Sequence, residues 1–90
     1  MNKAELVTAV AAKTALSKTS AEETLDAVLE TIMDAVRDGD KVIISGFGTF
    51  YLVERAARIG RDPKTGEEIH IAARKLPRFV PGKKFKEMAK

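Results

Sequence analysis

The 90-residue chain contains no cysteine and no tryptophan, a single histidine, a single tyrosine and three prolines. Without cysteine no disulfide can staple a small fold, and one histidine with no thiolate beside it does not make a structural zinc site. No apolar run approaches the ~20 residues that a membrane-spanning helix needs. The opening segment MNKAELVTAV carries Glu5 and has no continuous apolar core, so a signal peptide is not expected and an intracellular protein is. The groupings that catalysis uses are also missing. There is no nucleophile–base pair and no phosphate-binding loop. Glu67 and Glu68 are adjacent on an extended segment, so they point to opposite faces and cannot act as a dyad. We expect no enzymatic activity, no metal and no cofactor, and we read His70 as an ordinary side chain of the outer leg.

What is present is a 44% apolar composition, enough for one domain spanning residues 1–90. A chain this short buries only ~60–65% of its unfolded surface. With disulfides and metal set aside, oligomerisation is the remaining source of stability. The net charge of +3 is unevenly spread. Residues 1–45 hold 5 Lys/Arg against 8 Asp/Glu, whereas residues 46–90 hold 11 against 5. Ordinary solvated surface would tolerate this, but the asymmetry points to a polyanion facing the second half.

Leu6, Val7, Val10 and Ala11 recur at helical spacing over 3–14, with Asn2 as the N-cap. ALSKTSAEE interrupts the pattern. Ser17, Thr19 and Ser20 can each cap the next helix, and Ser20 with Glu23 fits a capping box, but a short link favours Ser17. Leu25, Val28, Leu29, Ile32, Met33 and Val36 then form one stripe up to Arg37, and Gly39 is the C-cap candidate. A helical hairpin over roughly 3–14 and 18–38 follows. Its wide stripe packs on its own chain's sheet or also on a second copy, and the small size of the chain favours the second copy.

From residue 41 the period becomes two. KVIIS is a strand, GFG a turn, and TFYLVERAAR a second strand that runs on past its core residues Phe50 and Leu52. Asp62-Pro63-Lys64-Thr65-Gly66 makes a turn. EEIHIAARKL returns, regaining core character at Leu76, Phe79 and Val80 before Pro81-Gly82. A short helix over 83–90 closes the chain, with Phe85 and Met88 as its docking face. The predicted fold is α+β: a helical hairpin with the first strand in 1–45, a three-stranded antiparallel sheet, a β-ribbon arm over 55–75 and a C-terminal helix. Two legs of ~8 residues at ~3.3 Å each would reach ~25 Å from the body with no core beneath them. Such a ribbon is marginal alone, so we expect it to be mobile when free and ordered by a partner.

Arg55, Arg58, Arg61 and Lys64 line the outgoing leg and tip, Arg74, Lys75 and Arg78 the return, and Lys83, Lys84 and Lys86 the base. Arginines on a two-stranded ribbon suit an electronegative minor groove. Pro63 at the apex is either a wedge for insertion between base pairs or a turn initiator, and spacing alone does not separate the two.

MNKAELV at the start, GFGTF at 46–50, ERAAR at 54–58, GRDPKTGEEI at 60–69 and PGK at 81–83 resemble the bacterial HU family of histone-like DNA-binding proteins. The likeness runs along essentially the whole chain, and the tip pattern G-R-x-P-x-T-G-E is specific to HU and its relative, integration host factor. The resemblance implies an intertwined homodimer, cytoplasmic and nucleoid-associated, whose arms enter the minor groove and whose tip prolines intercalate. It implies arm contacts at Arg55, Arg58 and Arg61, intercalation by Pro63, phosphate contacts at Lys3, Lys83 and Lys86, and a close approach of the turn at 46–48 to DNA. This sequence departs from the family at Val53 and Val80, where a basic residue is common, at Ala72, where proline is usual, and at Asp62, where asparagine is common. An anion beside the wedge weakens attraction to phosphate unless it forms the turn or pairs with an arginine.

The expected function is DNA bending, wrapping and compaction without sequence specificity, with a preference for bent, nicked or gapped duplexes and structured RNA as a further partner. The alternatives are a site-specific subunit of the integration host factor type, or a basic oligomerisation module gripping an acidic protein.

Overall fold

The computed structural model describes residues 1–90. The chain divides into two compact units, Met1–Asp34 and Ala35–Lys90, with the boundary inside the second helix.

In the first unit α1 spans Lys3–Thr14 and α2 begins at Lys18, continuing to Arg37. The expected caps are in use. The Glu5 N–H donates to Asn2 Oδ1 at 2.9 Å, and the Ser20 N–H donates to Ser17 Oγ at 3.1 Å, so Ser17 starts α2 and Ser20 lies within its first turn. Ala15 ends α1 in the left-handed region, at φ 60°. Val7, Ala11 and Ala21 form the buried cluster, with Val10 and Leu25 packed against it. Small residues at 11 and 21 let the two helices approach closely. Further along α2 the apolar stripe remains open to solvent at Val28, Leu29 and Met33, the last 61% exposed.

The second unit opens with the end of α2. Gly39, at φ 85°, closes it with the paired hydrogen bonds Gly39 N–H to Val36 O and Asp40 N–H to Ala35 O, both 2.9 Å. Five strands follow: β1 (Val42–Ile44), β2 (Gly48–Arg55), β3 (Arg58–Arg61), β4 (Glu68–Ile71) and β5 (Arg74–Pro81), and then α3 (Lys83–Met88). β1, β2 and β5 form an antiparallel sheet in that order, and β3 and β4 pair as a separate ribbon. Pro77 and Pro81 both lie on β5, an edge strand, where a missing N–H is tolerated. All four phenylalanines gather in this unit. Phe50 and Phe79 are ladder partners with ring centroids 4.8 Å apart, and Phe47 sits 5.3 Å from Phe79 and 5.4 Å from Phe85.

Two expectations are corrected. The arm is not one continuous ribbon. The ladder stops after Arg55↔Arg74 and resumes at Arg58↔Ile71, leaving Ala56, Ala57, Ala72 and Ala73 unladdered. The register is the same on both sides, so no residue is inserted. The break falls where four methyl side chains offer almost no cross-strand packing. In the C-terminal helix, Phe85 docks on the aromatic cluster, but Met88 is 76% exposed and takes no part in docking. A six-residue helix presents little more than one residue per face.

No helix is long and apolar enough to cross a membrane.

Candidate nucleic-acid interface

β2 and β5 carry the base of the ribbon. On their outward face the ladder pairs Tyr51↔Arg78, Val53↔Leu76 and Arg55↔Arg74 stack one above the next. Strict alternation would send Arg55 and Arg58, three residues apart, to opposite faces. Yet Arg55, Arg58, Arg74 and Arg78 line one groove of ≈ 350 Å³ together with Ile71, Ala72 and Leu76. The unladdered alanine step lies between the two sheets, between Arg55 and Arg58 on one leg and Ile71 and Arg74 on the other. No carboxylate pairs with any of the four guanidiniums. Arg78, which sequence alone placed only on the return leg, thus belongs with the other three. Its signal was the spacing 74-76-78, since alternate residues of a strand share a face.

Lys75 lies elsewhere. It opposes Glu54 on the other face of the ladder, and its Nζ is 3.6 Å from Glu54 Oε1. Both side chains are exposed, and such a surface pair contributes little to stability.

The distal ribbon pairs Arg58↔Ile71, Ile59↔His70, Gly60↔Ile69 and Arg61↔Glu68. It has no buried residue, and Ile59 is 62% exposed. The tip is tied by its own hydrogen bonds. The Asp62 N–H donates to Glu67 O at 2.9 Å, the Gly66 N–H to Asp62 O at 2.8 Å, and the Lys64 N–H to Asp62 Oδ1 at 2.8 Å. Arg61 Nη1 donates to Gly66 O at 3.2 Å, and the Glu67 N–H to Thr65 Oγ at 3.2 Å. Asp62 is therefore the turn former, and Arg61 grips the loop's backbone and not the Asp62 carboxylate. Pro63 and Lys64 are exposed at the apex.

Lys83 and Lys86 are exposed on α3, immediately after β5. Lys3 belongs to the first unit, where its ammonium is 2.6 Å from Asp26 Oδ1. That hydrogen bond, then the Asp26 charge, raise the Lys3 pKa above its ordinary value.

A family model described as bacterial DNA-binding protein matches residues 1–90. The chain belongs to that family. It is 53% identical to the DNA-binding protein HU of Geobacillus stearothermophilus over 90 residues, covering all of both chains. It is likewise 53% identical to DNA-binding protein HU 1 of Bacillus subtilis, over 97% of this chain and 95% of that one. Among solved structures it is similar to an HU–DNA cocrystal structure from Anabaena, with a TM-score of 0.87 and 52% identity over 99% of this chain and 97% of that one. The helical hairpin, sheet and arm are all present here, with the four-arginine groove where the arm leaves the sheet and the exposed tip at the arm's far end.

Proposed function

We propose that this chain is a non-sequence-specific, histone-like DNA-binding protein that acts as an intertwined homodimer to bend, wrap and compact double-stranded DNA in the cytoplasm, on the nucleoid. The observation that carries this reading is the groove in which Arg55, Arg58, Arg74 and Arg78 stand without a carboxylate partner. Four arginines lining one concavity match a phosphate backbone, and the aliphatic side chains of Ile71, Ala72 and Leu76 in the same lining suit sugar faces. Arg61, Lys64, Lys83 and Lys86 supply further cations in the same unit, Lys75 on the opposite face of the ladder and Lys3 in the first unit are further phosphate contacts, and Pro63 is the wedge that kinks the duplex.

A second copy follows from what each unit leaves uncovered. The buried hydrophobic side chains are Val7, Ala11, Ala21 and Val36 alone, while Met33 and Ile43 are 61% and 73% exposed. So small a core does not hold a 90-residue chain by itself, and the open apolar stripes are the surface that dimerisation buries.

Affinity comes from phosphate neutralisation and DNA deformability, so bent, nicked or gapped duplexes are preferred and structured RNA is a weaker partner. Few donors besides arginine are placed to read base edges, which sets aside the site-specific alternative. With about 6–10 phosphate contacts, affinity falls ~10³–10⁵-fold between 50 and 200 mM salt.

The test is binding to an intact duplex and to the same duplex with a nick, across a salt series, for the native chain and for Arg58→Ala with Pro63→Ala. Each phosphate-bound arginine adds ~0.9 to the slope of log K against log salt, so losing Arg58 from both arms lowers it by about 1.8. Loss of the nick preference in the double variant supports the wedge. Unchanged binding by the double variant removes groove and wedge together. No binding at low salt returns attention to an acidic protein partner.

A further inference from the structure

We propose that Asp62 is the residue that sets the arm's discrimination between intact and already opened DNA: it locks the tip that presents Pro63 and carries an unneutralised negative charge into the groove with it. The inference rests on the DNA-binding reading above and concerns the tip alone.

Asp62 anchors the turn at three points. Its N–H reaches Glu67 O, its C=O receives the Gly66 N–H, and its Oδ1 receives the Lys64 N–H at 2.8 Å. The last bond spans Pro63, which is thereby held between two tied residues. It also fixes the carboxylate, because turning away from the proline would leave the Lys64 N–H without its acceptor. No cation neutralises the group. The nearest guanidinium in sequence, Arg61, donates to the Gly66 carbonyl, and the Asp62 carboxylate makes no ion pair. A fixed anion therefore adjoins the residue that must enter the stack.

The minor groove of an intact duplex is narrow and walled by phosphates on both sides. Insertion of Pro63 brings the Asp62 carboxylate between those walls, where like charges repel and are only partly screened at physiological salt. A nick or gap lets the duplex hinge open and moves the walls apart, so the repulsion falls. The charge thus penalises intact DNA more than opened DNA, once for each arm, while the hydrogen bond keeps the wedge ready for both.

The variants Asp62→Asn and Asp62→Ala separate the two roles. Asparagine keeps an oxygen acceptor for the Lys64 N–H and loses the charge, whereas alanine loses both. The measurement is the dissociation constant of the full-length protein for intact and nicked duplexes, from about 50 to 200 mM salt, with circular dichroism confirming the fold. With two charges removed per dimer, D62N should bind intact duplex about five- to tenfold more tightly near 0.1 M salt, a gain that shrinks as salt rises. On nicked duplex the gain should stay below about twofold, by the weaker Coulomb interaction at larger separation. D62A should bind nicked duplex more weakly than D62N. An equal gain by D62N on both duplexes, or none on either, overturns the discriminating role while leaving DNA binding intact. Identical behaviour of D62A and D62N overturns the tip-locking role. Failure of the native chain to bind either duplex overturns the functional reading itself, and this inference with it.

Discussion

Alanine at position 48 would add one methyl group where the structure has no room for it. Gly48 is buried, begins β2, and is laddered to Ile44 on one side and Pro81 on the other. A Cβ there would stand 2.5 Å and 2.6 Å from Cε1 and Cζ of Phe79, and 2.6 Å from the Val80 carbonyl oxygen. Neither neighbour yields cheaply. The Phe79 ring is held by Phe50 at 4.8 Å, Phe47 at 5.3 Å and Phe85 at 6.4 Å. Val80 is main chain, opposite Thr49 in the β2–β5 ladder. Relief requires β5 to move off β2 or the aromatic cluster to repack. Overpacking of this kind costs about 1–3 kcal/mol, and the backbone contact puts Gly48→Ala near the upper end. For a domain of this size that lowers the melting temperature by about 10–20 °C.

Calorimetry at a fixed protein concentration is the suitable assay, since melting of an oligomer depends on concentration. Gly39→Ala is the internal control. Gly39 has φ 85° but nothing within 4 Å of the added methyl, so only left-handed strain of about 1–2 kcal/mol applies. A Gly48→Ala protein melting within about 3 °C of the native chain, or above Gly39→Ala, would refute the packing account.

Two further perturbations address the first unit. Ser17→Ala removes the acceptor for the Ser20 N–H and should cost about 1 kcal/mol, read as a lower urea midpoint with unchanged slope. Lys3→Met addresses the exposed Lys3–Asp26 pair. Because folding raises the Lys3 pKa, the pair's contribution is fully present below the unfolded-state value and is lost as pH rises through the folded-state value. The difference in urea midpoint between native chain and Lys3→Met should therefore be flat from neutral pH to the lysine range and close above it; a difference persisting there would show that packing, not charge, is responsible.

Much of this architecture was legible in the sequence because it depends on local chemistry. Asn2, Ser17 and Gly39 mark helix ends by hydrogen bonds that span only a few residues, and all three are made as expected. The change of period near residue 41, the turn at 46–48 and the tip at 62–66 were equally local. The break in the arm was not, because alanine neither forbids nor favours a strand strongly. It is the opposition of Ala56 and Ala57 to Ala72 and Ala73, a fact of register, that removes the cross-strand packing. Met88 misled for a related reason. Helical spacing placed it beside Phe85, but whether so short a helix buries a second side chain is decided by the surface it lands on. Lys75 counted as one more cation in a basic run until the ladder set it against Glu54.

A coreless arm carries a conflict in its design. An unbroken ribbon alternates its side chains, so cations spread along both strands would divide between two faces, and half of them would point away from any single groove. Here Arg58 lines one concavity with Arg55, Arg74 and Arg78, and the break between them inserts no residue and shifts no register. Beyond it the ribbon resumes its ladder and delivers Arg61 to the Gly66 carbonyl, where the guanidinium steadies the turn. Positive charge is thus concentrated at the base of the arm, on a sheet braced by four phenylalanines, while the apex carries Pro63 between Asp62 and an exposed Lys64. In the proposed reading, attraction and insertion are separated along one ribbon: the basal arginines set the affinity and its salt dependence, and the apex, with its one fixed anion, sets which duplexes admit the wedge.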